Sequence, residues 1–106
     1  MQTVIIDCIT LLINNIFMRY DENTEADLAE KEVTAEIKEL NDCIDRSDAH
    51  FIIVTNEVGL GVVPADRVSR LYRDMLGRAN QMLAGYADEV FLLVAGIPLT
   101  VKKSGH

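Results

Sequence analysis

The sequence is short of basic residues and of long apolar runs. Ten Lys and Arg stand against seventeen Asp and Glu, a formal charge of −7, so unassisted binding to nucleic acid or to an anionic membrane surface is not expected. No apolar stretch reaches the ~18 to 20 residues of a membrane span, and no basic residues precede the first apolar run. We therefore expect neither a transmembrane helix nor a signal peptide, and we expect a cytoplasmic protein.

Two chemical signatures are also missing. No Gly-x-x-x-x-Gly-Lys-Ser/Thr motif occurs, so the chain has no phosphate-binding loop of that kind. A chain this acidic needs Mg²⁺ or residues from elsewhere to hold phosphates. The two cysteines, Cys8 and Cys43, lack the spacing of metal ligands, and both are predicted to be buried, reduced thiols rather than a disulfide or a metal site.

The composition is that of a folded protein. Apolar residues make up 49% of the sequence and charged residues 25%, which excludes a disordered segment and fits a packed α/β unit. The length of 106 residues predicts one compact domain, residues 1–106, near the lower end of the size that buries a good core.

The stretch of residues 51–67, FIIVTNEVGLGVVPADR, predicts a strand, a loop and the start of a helix. Its first four residues are apolar and mostly β-branched, which is typical of a strand buried on both faces of a parallel sheet. Thr55, Asn56 and Glu57 follow that strand, at the sheet edge where ligands bind in α/β proteins. The alternative is an ordinary Gly-rich connection between a strand and a helix.

A second strand ends in a carboxylate. Residues 3–7, TVIID, form an apolar run that closes on Asp7. This is the form of a Walker B strand, whose carboxylate orients Mg²⁺ or its waters against nucleotide phosphates. An apolar run followed by Asp is also common in α/β proteins at large.

Three stretches have helical character. Residues 8–20 are too apolar all round for a surface helix, which predicts burial against another part of the protein or a neighbouring subunit. Residues 26–45 repeat apolar positions at spacings of four, four, three and four, and residues 64–86 give the strongest periodic signal. Gly77 within the last helix hints at close packing. The same helix carries three arginines, Arg67, Arg70 and Arg78. They either contact a phosphate or a second subunit, or they form a solvated helix face.

Residues 87–95 and 99–101 predict two further strands. Strands separated by helices of these lengths predict a mainly parallel sheet with flanking helices. His50 precedes the strand at residues 51–54, at the end opposite the ligand edge, and is interpreted as structural.

Four longer runs carry a family resemblance: IIDCITLLINNIF at residues 5–17, TNEVGxGxVP at 55–64, RDxxGRxNQxLA at 73–84 and ADEVxLxVAGIPL at 87–99. Together they resemble the carboxyl-terminal half of the bifunctional adenosylcobinamide kinase / adenosylcobinamide-phosphate guanylyltransferase family of cobalamin biosynthesis. The resemblance implies part of a P-loop NTPase (RecA-like) fold that lacks the half with the P-loop.

The resemblance also implies a chemistry. The complete enzyme phosphorylates adenosylcobinamide with ATP or GTP and then transfers a guanylyl group from GTP to that phosphate through a covalent histidine, with Mg²⁺ on the nucleotide. It implies Asp7 as a Mg²⁺ and nucleotide ligand, and Thr55, Asn56 and Glu57 as residues that face the nucleotide or the corrinoid. For Glu57 the alternative is to hold its loop by accepting backbone N–H bonds.

The family's phosphate loop and guanylylated histidine have no counterpart here, since the only histidines are His50 and His106. No catalytic residue is therefore assigned to this chain, and no cofactor is assured for it alone. Two hypotheses remain open. The chain is part of a transferase, inactive when isolated, that assembles as a homo-oligomer (a trimer by resemblance) or with a separate chain that bears the P-loop. Alternatively, it is a non-catalytic half-protein that serves as an assembly or regulatory module.

Overall fold

The computed structural model describes residues 2–19, 26–57 and 67–103, which form an α/β arrangement. Within these residues no helix is long and apolar enough to cross a membrane. The elements in chain order are β1 (Thr3–Asp7), α1 (Ile9–Phe17), α2 (Ala26–Asp45), β2 (His50–Val54), α3 (Arg67–Tyr86), β3 (Val90–Val94) and β4 (Ile97–Lys102).

The helix boundaries follow the sequence patterns closely. The predicted range of α2, residues 26–45, is confirmed without change. Helix α1 is shorter than predicted and ends at Phe17, and the described part of α3 begins at Arg67. The predicted start of α3 at Pro64, like the two glycines before it, lies outside the described residues.

Strands β1 and β2 form a parallel pair, and α1 and α2 connect them. The register pairs Thr3 with His50 at one end and Asp7 with Val54 at the other. The backbone N–H of His50 also donates to the carbonyl oxygen of Gln2 over 2.8 Å, which extends the pairing beyond the strand. The register therefore brings the carboxyl ends of both strands to the same edge.

The hydrophobic core lies among the three helices, since each turns one apolar stripe toward the other two. The spacings of four residues within α2 place its buried side chains on successive turns of one face. The aromatic rings of Phe17 and Tyr72 close one side of this core in an edge-to-face contact, with centroids 5.2 Å apart. The buried core residues are Ile9, Ile13, Ile16, Ala29, Val33, Ile37, Leu71, Met75, Leu76, Ala79 and Leu83.

One face of the β1–β2 pair packs on this core and the other does not. Ile6 and Ile53, which are register partners, are partly buried against the helices. Their neighbours alternate to the opposite face, where Ile5 is 64% exposed, Ile52 43% and Val54 41%. The prediction of a strand buried on both faces is therefore wrong for β2. The physical reason is that the described helices cover only one side of the pair.

Strands β3 and β4 form a separate antiparallel hairpin. Val94 pairs with Ile97, and the two residues between them, Ala95 and Gly96, both have positive φ angles of 51° and 77°. Positive φ at both central residues is the signature of the tight hairpin turn that matches the twist of the flanking strands. The hairpin is thus closed by a local turn.

This hairpin corrects the prediction of a mainly parallel sheet. Among the described residues the parallel sheet has only two strands, β1 and β2, and β3 pairs with β4 alone. The last strand is also longer than residues 99–101, because Pro98 lies within it as the partner of Leu93. Pro98 is tolerated because β4 is an edge strand. The large apolar side chains exposed on the hairpin are Phe91, Leu93, Val94, Ile97, Leu99 and Val101.

Two contacts at the carboxyl end of α3 join this helix to β4 and to α2. Lys102 of β4 donates from Nζ to the carbonyl oxygens of Ala84 (3.0 Å) and Gly85 (3.1 Å). Tyr86 donates from its hydroxyl to Oδ1 of Asp45 over 2.7 Å. The lysine contact matters because the last carbonyls of a helix have no partner within the helix.

Two smaller sequence predictions are also corrected. A Cβ atom at Gly77 would meet no atom of the described residues within 4 Å, so among these residues the glycine does not mark close packing. Cys8 and Cys43 are free thiols, but Cys43 is exposed and Cys8 half-buried, so neither is a core residue. Cys43 is exposed because it falls off the apolar stripe that α2 turns toward the core.

Candidate functional site

The candidate site lies at the carboxyl edge of the β1–β2 pair. Asp7 is the last residue of β1 and pairs with Val54, the last residue of β2, so Thr55 lies one residue beyond the partner of Asp7. Asp7, Thr55, Asn56 and Glu57 are all exposed. The structure therefore brings the four predicted site residues to one solvent-facing edge, as the parallel register requires.

His50 lies at the other end of the same strand pair. It is the first residue of β2 and the register partner of Thr3. Its separation from Asp7 by the length of a five-residue strand keeps it away from the candidate site. The location that the sequence predicted for His50, at the end opposite the candidate site, is confirmed.

Asn80 of α3 forms two hydrogen bonds with residues of the candidate site. The Thr55 hydroxyl donates to Asn80 Oδ1 over 2.6 Å, and Asn80 Nδ2 donates to the backbone carbonyl oxygen of Asn56 over 2.8 Å. One side chain thus holds two successive residues of the loop that follows β2. We refer to these two hydrogen bonds as the Asn80 clamp.

Sequence reasoning missed Asn80 as a site residue. Its only signal was its position in the RDxxGRxNQxLA run at residues 73–84, where it looked like one polar residue among several on a helix. A contact between residues 25 positions apart in the sequence leaves no local pattern. Only the hydrogen bonds between α3 and the residues after β2 reveal it.

One of the arginines that the sequence singled out in α3 contacts α2. Arg78 lies beside Glu30 of α2, with Nε 3.9 Å from Oε1, and both side chains are about half exposed. An exposed pair at this distance contributes little to stability. Arg70 is exposed on the first turns of the helix, and the side chain of Arg67 lies outside the described part of the chain.

The donor atoms at the edge suit Mg²⁺ better than a softer metal. The described residues contain no group of three or more His, Cys, Asp and Glu that would hold a metal ion by themselves. Mg²⁺, however, is usually bound by one or two carboxylates together with substrate phosphates and retained waters. The Asp7 carboxylate, exposed at the strand end, fits that kind of partial ligand set.

The fold and this edge define an α/β protein with polar residues at the carboxyl end of a parallel strand pair. The model of the cobinamide kinase / cobinamide phosphate guanyltransferase family matches residues 1–101, and the chain belongs to that family. This confirms the resemblance carried by the four sequence runs.

Three curated proteins are similar to this chain in sequence. The chain is 38% identical to the bifunctional adenosylcobalamin biosynthesis protein CobU of Escherichia coli K12 and 36% identical to that of Salmonella typhimurium LT2, each over 106 aligned residues. It is 32% identical over 101 residues to the bifunctional adenosylcobalamin biosynthesis protein CobP of Pseudomonas aeruginosa PAO1. The alignments cover 95% of this chain but only 59%, 59% and 54% of the relatives. The chain therefore spans little more than half of their length.

Proposed function

We propose that the chain acts in cobalamin biosynthesis as one part of an adenosylcobinamide kinase / adenosylcobinamide-phosphate guanylyltransferase. The single observation that carries the proposal is the register of β1 and β2, which pairs Asp7 with Val54, the residue just before Thr55. An exposed carboxylate and polar loop residues at the carboxyl ends of adjacent parallel strands form the usual location of a nucleotide site in α/β proteins. Family membership supports the same assignment.

In this proposal each residue of the edge has a role. Asp7 would hold Mg²⁺ at the nucleotide phosphates of GTP or ATP. Mg²⁺, when bound, would neutralise negative charge on those phosphates. Asn56 and Glu57 face the nucleotide or the corrinoid from the loop after β2, and Thr55 joins them. For Glu57, holding its own loop remains the alternative role.

The phosphate loop and the guanylylated histidine are proposed to come from outside these 106 residues. Phosphoryl transfer depends on backbone N–H groups and a lysine that cradle the phosphates, and the sequence has no such motif. Covalent guanylylation needs a nucleophile, and the histidine that the family resemblance implies ahead of the first strand has no counterpart among these residues, whose only histidines are His50 and His106. We therefore propose that the isolated chain is inactive and that its activity, together with the substrates adenosylcobinamide and nucleotide, belongs to the completed protein in the cytoplasm.

The test measures the affinity for Mg·GTP with and without a completing part. The chain is co-expressed with the portion of the E. coli relative that it does not match, and binding is measured by calorimetry. Asp7→Asn is expected to weaken Mg·GTP binding by about tenfold or more, about 1.4 kcal/mol, because it removes the charge next to Mg²⁺. Asp48→Asn is the matched control, since Asp48 is also exposed but lies at the opposite edge, just before β2.

Two results would contradict the proposal. Equal Mg·GTP affinity in the Asp7 variant and the wild type would remove Asp7 from the nucleotide site. Stable labelling of the isolated chain by GTP labelled in its α-phosphate would show that it contains a guanylyl acceptor after all.

The second candidate function is a non-catalytic assembly or regulatory module. The exposed apolar side chains on the open face of β1–β2 and on the β3–β4 hairpin favour it, because such surfaces mark contacts with other protein. Light scattering of the chain alone tests this reading: a stable homo-oligomer without nucleotide affinity, before or after addition of the completing part, supports the module over the transferase.

A further inference from the structure

The Asn80 clamp determines which way the Thr55 hydroxyl points. The backbone carbonyl oxygen of Asn56 can only accept a hydrogen bond, so the nitrogen of the Asn80 amide must be the atom that faces it over 2.8 Å. The amide oxygen then faces Thr55. Since that oxygen also only accepts, the Thr55 hydroxyl must be the donor across the 2.6 Å contact.

The clamp therefore leaves Thr55 with lone pairs and no free proton. An exposed serine or threonine hydroxyl ordinarily rotates to donate or accept according to its partner. Here the proton is committed to Asn80, and the remaining hydrogen-bonding capacity of the oxygen is as an acceptor. A ligand O–H or N–H group can donate a hydrogen bond to this oxygen. An unprotonated phosphate oxygen cannot, because it would place its own lone pairs against those of Thr55.

We propose that Asn80 is a positioning residue of the candidate site, which holds Thr55 and Asn56 at the strand edge and presents the Thr55 oxygen to a ligand as an acceptor. The inference rests on the proposed nucleotide site at this edge. It adds a residue of α3 to that site and assigns Thr55 to a donor group of the ligand rather than to its phosphates.

The clamp also joins the site to the hydrophobic core. Asn80 is half-buried and follows directly after Ala79, a fully buried core residue of α3. The loop after β2 is thus tied to the helix whose stripe packs on α1 and α2. A side chain that spans from the core to the loop restrains the exposed residues Thr55 and Asn56.

The first arm of the test observes the loop itself. Backbone amide signals of Thr55, Asn56 and Glu57 are followed by nuclear magnetic resonance in the full chain, in Asn80→Ala and in Gln81→Ala. Gln81 is the matched control because it is the exposed neighbour on the same helix. Asn80→Ala is expected to shift all three signals and speed their hydrogen exchange, while Gln81→Ala leaves them in place and both variants keep the unfolding temperature within a few degrees.

Two further variants separate the two hydrogen bonds. Asn80→Asp retains an acceptor for the Thr55 hydroxyl but replaces the donor to the Asn56 carbonyl with an oxygen, so the loop signals shift through Asn56. Thr55→Val removes the hydroxyl, and Thr55→Ser restores it and should restore the wild-type signals. These variants change few atoms, so they remain informative if Asn80→Ala does not fold.

The second arm measures Mg·GTP affinity in the completed protein described above. Asn80→Ala and Thr55→Val are expected to weaken binding by about 3- to 10-fold, as the loss of one or two exposed hydrogen bonds predicts, and Thr55→Ser should rescue it. A role confined to stability would not produce this loss at an unchanged unfolding temperature.

Failure of the inference can be told from failure of the proposed function. Loop signals that respond equally to Asn80→Ala and Gln81→Ala overturn the positioning role, and so does unchanged affinity in a protein that binds Mg·GTP. Absence of Mg·GTP binding in the wild-type completed protein overturns the proposed function and, with it, the ligand-facing role of Thr55. The loop signals then still decide whether Asn80 holds the strand edge.

Discussion

The hydroxyl of Tyr86 donates a hydrogen bond to the carboxylate of Asp45, with 2.7 Å between the oxygen atoms. These are the last residues of α3 and α2, so the bond joins two helix ends that are 41 positions apart in the sequence. The hydrogen bond to Asp45 is the main cause that raises the pKa of Tyr86 above its usual value of 10, with smaller contributions from desolvation and from the negative charges of Asp45, Asp42 and Asp88. The contact therefore has a measurable pH dependence.

We expect Tyr86 to ionise at higher pH than an ordinary tyrosine. Its folded-state pKa is raised, so the stabilisation from the neutral hydroxyl is fully present below the unfolded-state pKa of about 10 and is lost as the pH rises through the folded-state pKa. The difference in tyrosinate absorbance between wild type and Tyr86→Phe reports this titration. Asp45→Asn should bring the pKa of Tyr86 down, whereas a Tyr86 that titrates alike in both backgrounds would rule out the contact.

Two glycines should respond to alanine with opposite signs. Gly77→Ala is expected to raise the free energy of unfolding by about 0.5 to 1 kcal/mol, because the helix gains propensity and the new methyl group meets no atom. Gly96→Ala is expected to lower it by about 1 kcal/mol, because its φ of 77° suits glycine and strains alanine. Urea unfolding of both variants measures the pair. A destabilising Gly77→Ala would mean that α3 has a close neighbour at this position.

Truncation of an apolar side chain should cost more stability in the helical core than on the open face of the β1–β2 pair. Ile13→Ala removes a fully buried side chain from the core and is expected to cost about 2 to 5 kcal/mol. Ile5→Ala, at a side chain that is 64% exposed on the open face, is expected to cost less than about 1 kcal/mol. Thermal or urea unfolding compares them. Similar costs at both positions would show that another surface covers the open face in solution.

Loss of the Lys102 amino group should lower the free energy of unfolding more than loss of the Lys103 amino group. Lys102→Met keeps most of the aliphatic chain but removes the donor to Ala84 and Gly85 and the positive charge at the helix carboxyl terminus. The expected cost is about 1 kcal/mol, because this side chain is only half-buried. Lys103→Met, at the exposed next position, should stay within about 0.5 kcal/mol of wild type. Equal effects of the two substitutions would argue against the helix-end contact.

The helices were the most predictable part of this fold, and the sheet was the least. The spacing of Ala29, Val33 and Ile37 identifies a helix face by itself, because three or four residues complete one turn regardless of what packs there. The partner of a strand is a distant segment, so the apolar run at residues 90–94 predicts a strand without showing whether β2 or β4 pairs with it. The positive φ of Ala95 in the hairpin turn likewise could not be predicted from the residue type, because alanine does not favour that conformation.

The candidate site divides along the same line. The sequence by itself determined that an apolar strand ends at Asp7 and another runs into Thr55, Asn56 and Glu57, because these facts depend on local order along the chain. Only the tertiary structure decided that the two strand ends are neighbours and that Asn80 clamps the loop from α3. Register and helix packing depend on contacts between segments far apart in the chain, and no local pattern records which atoms will meet.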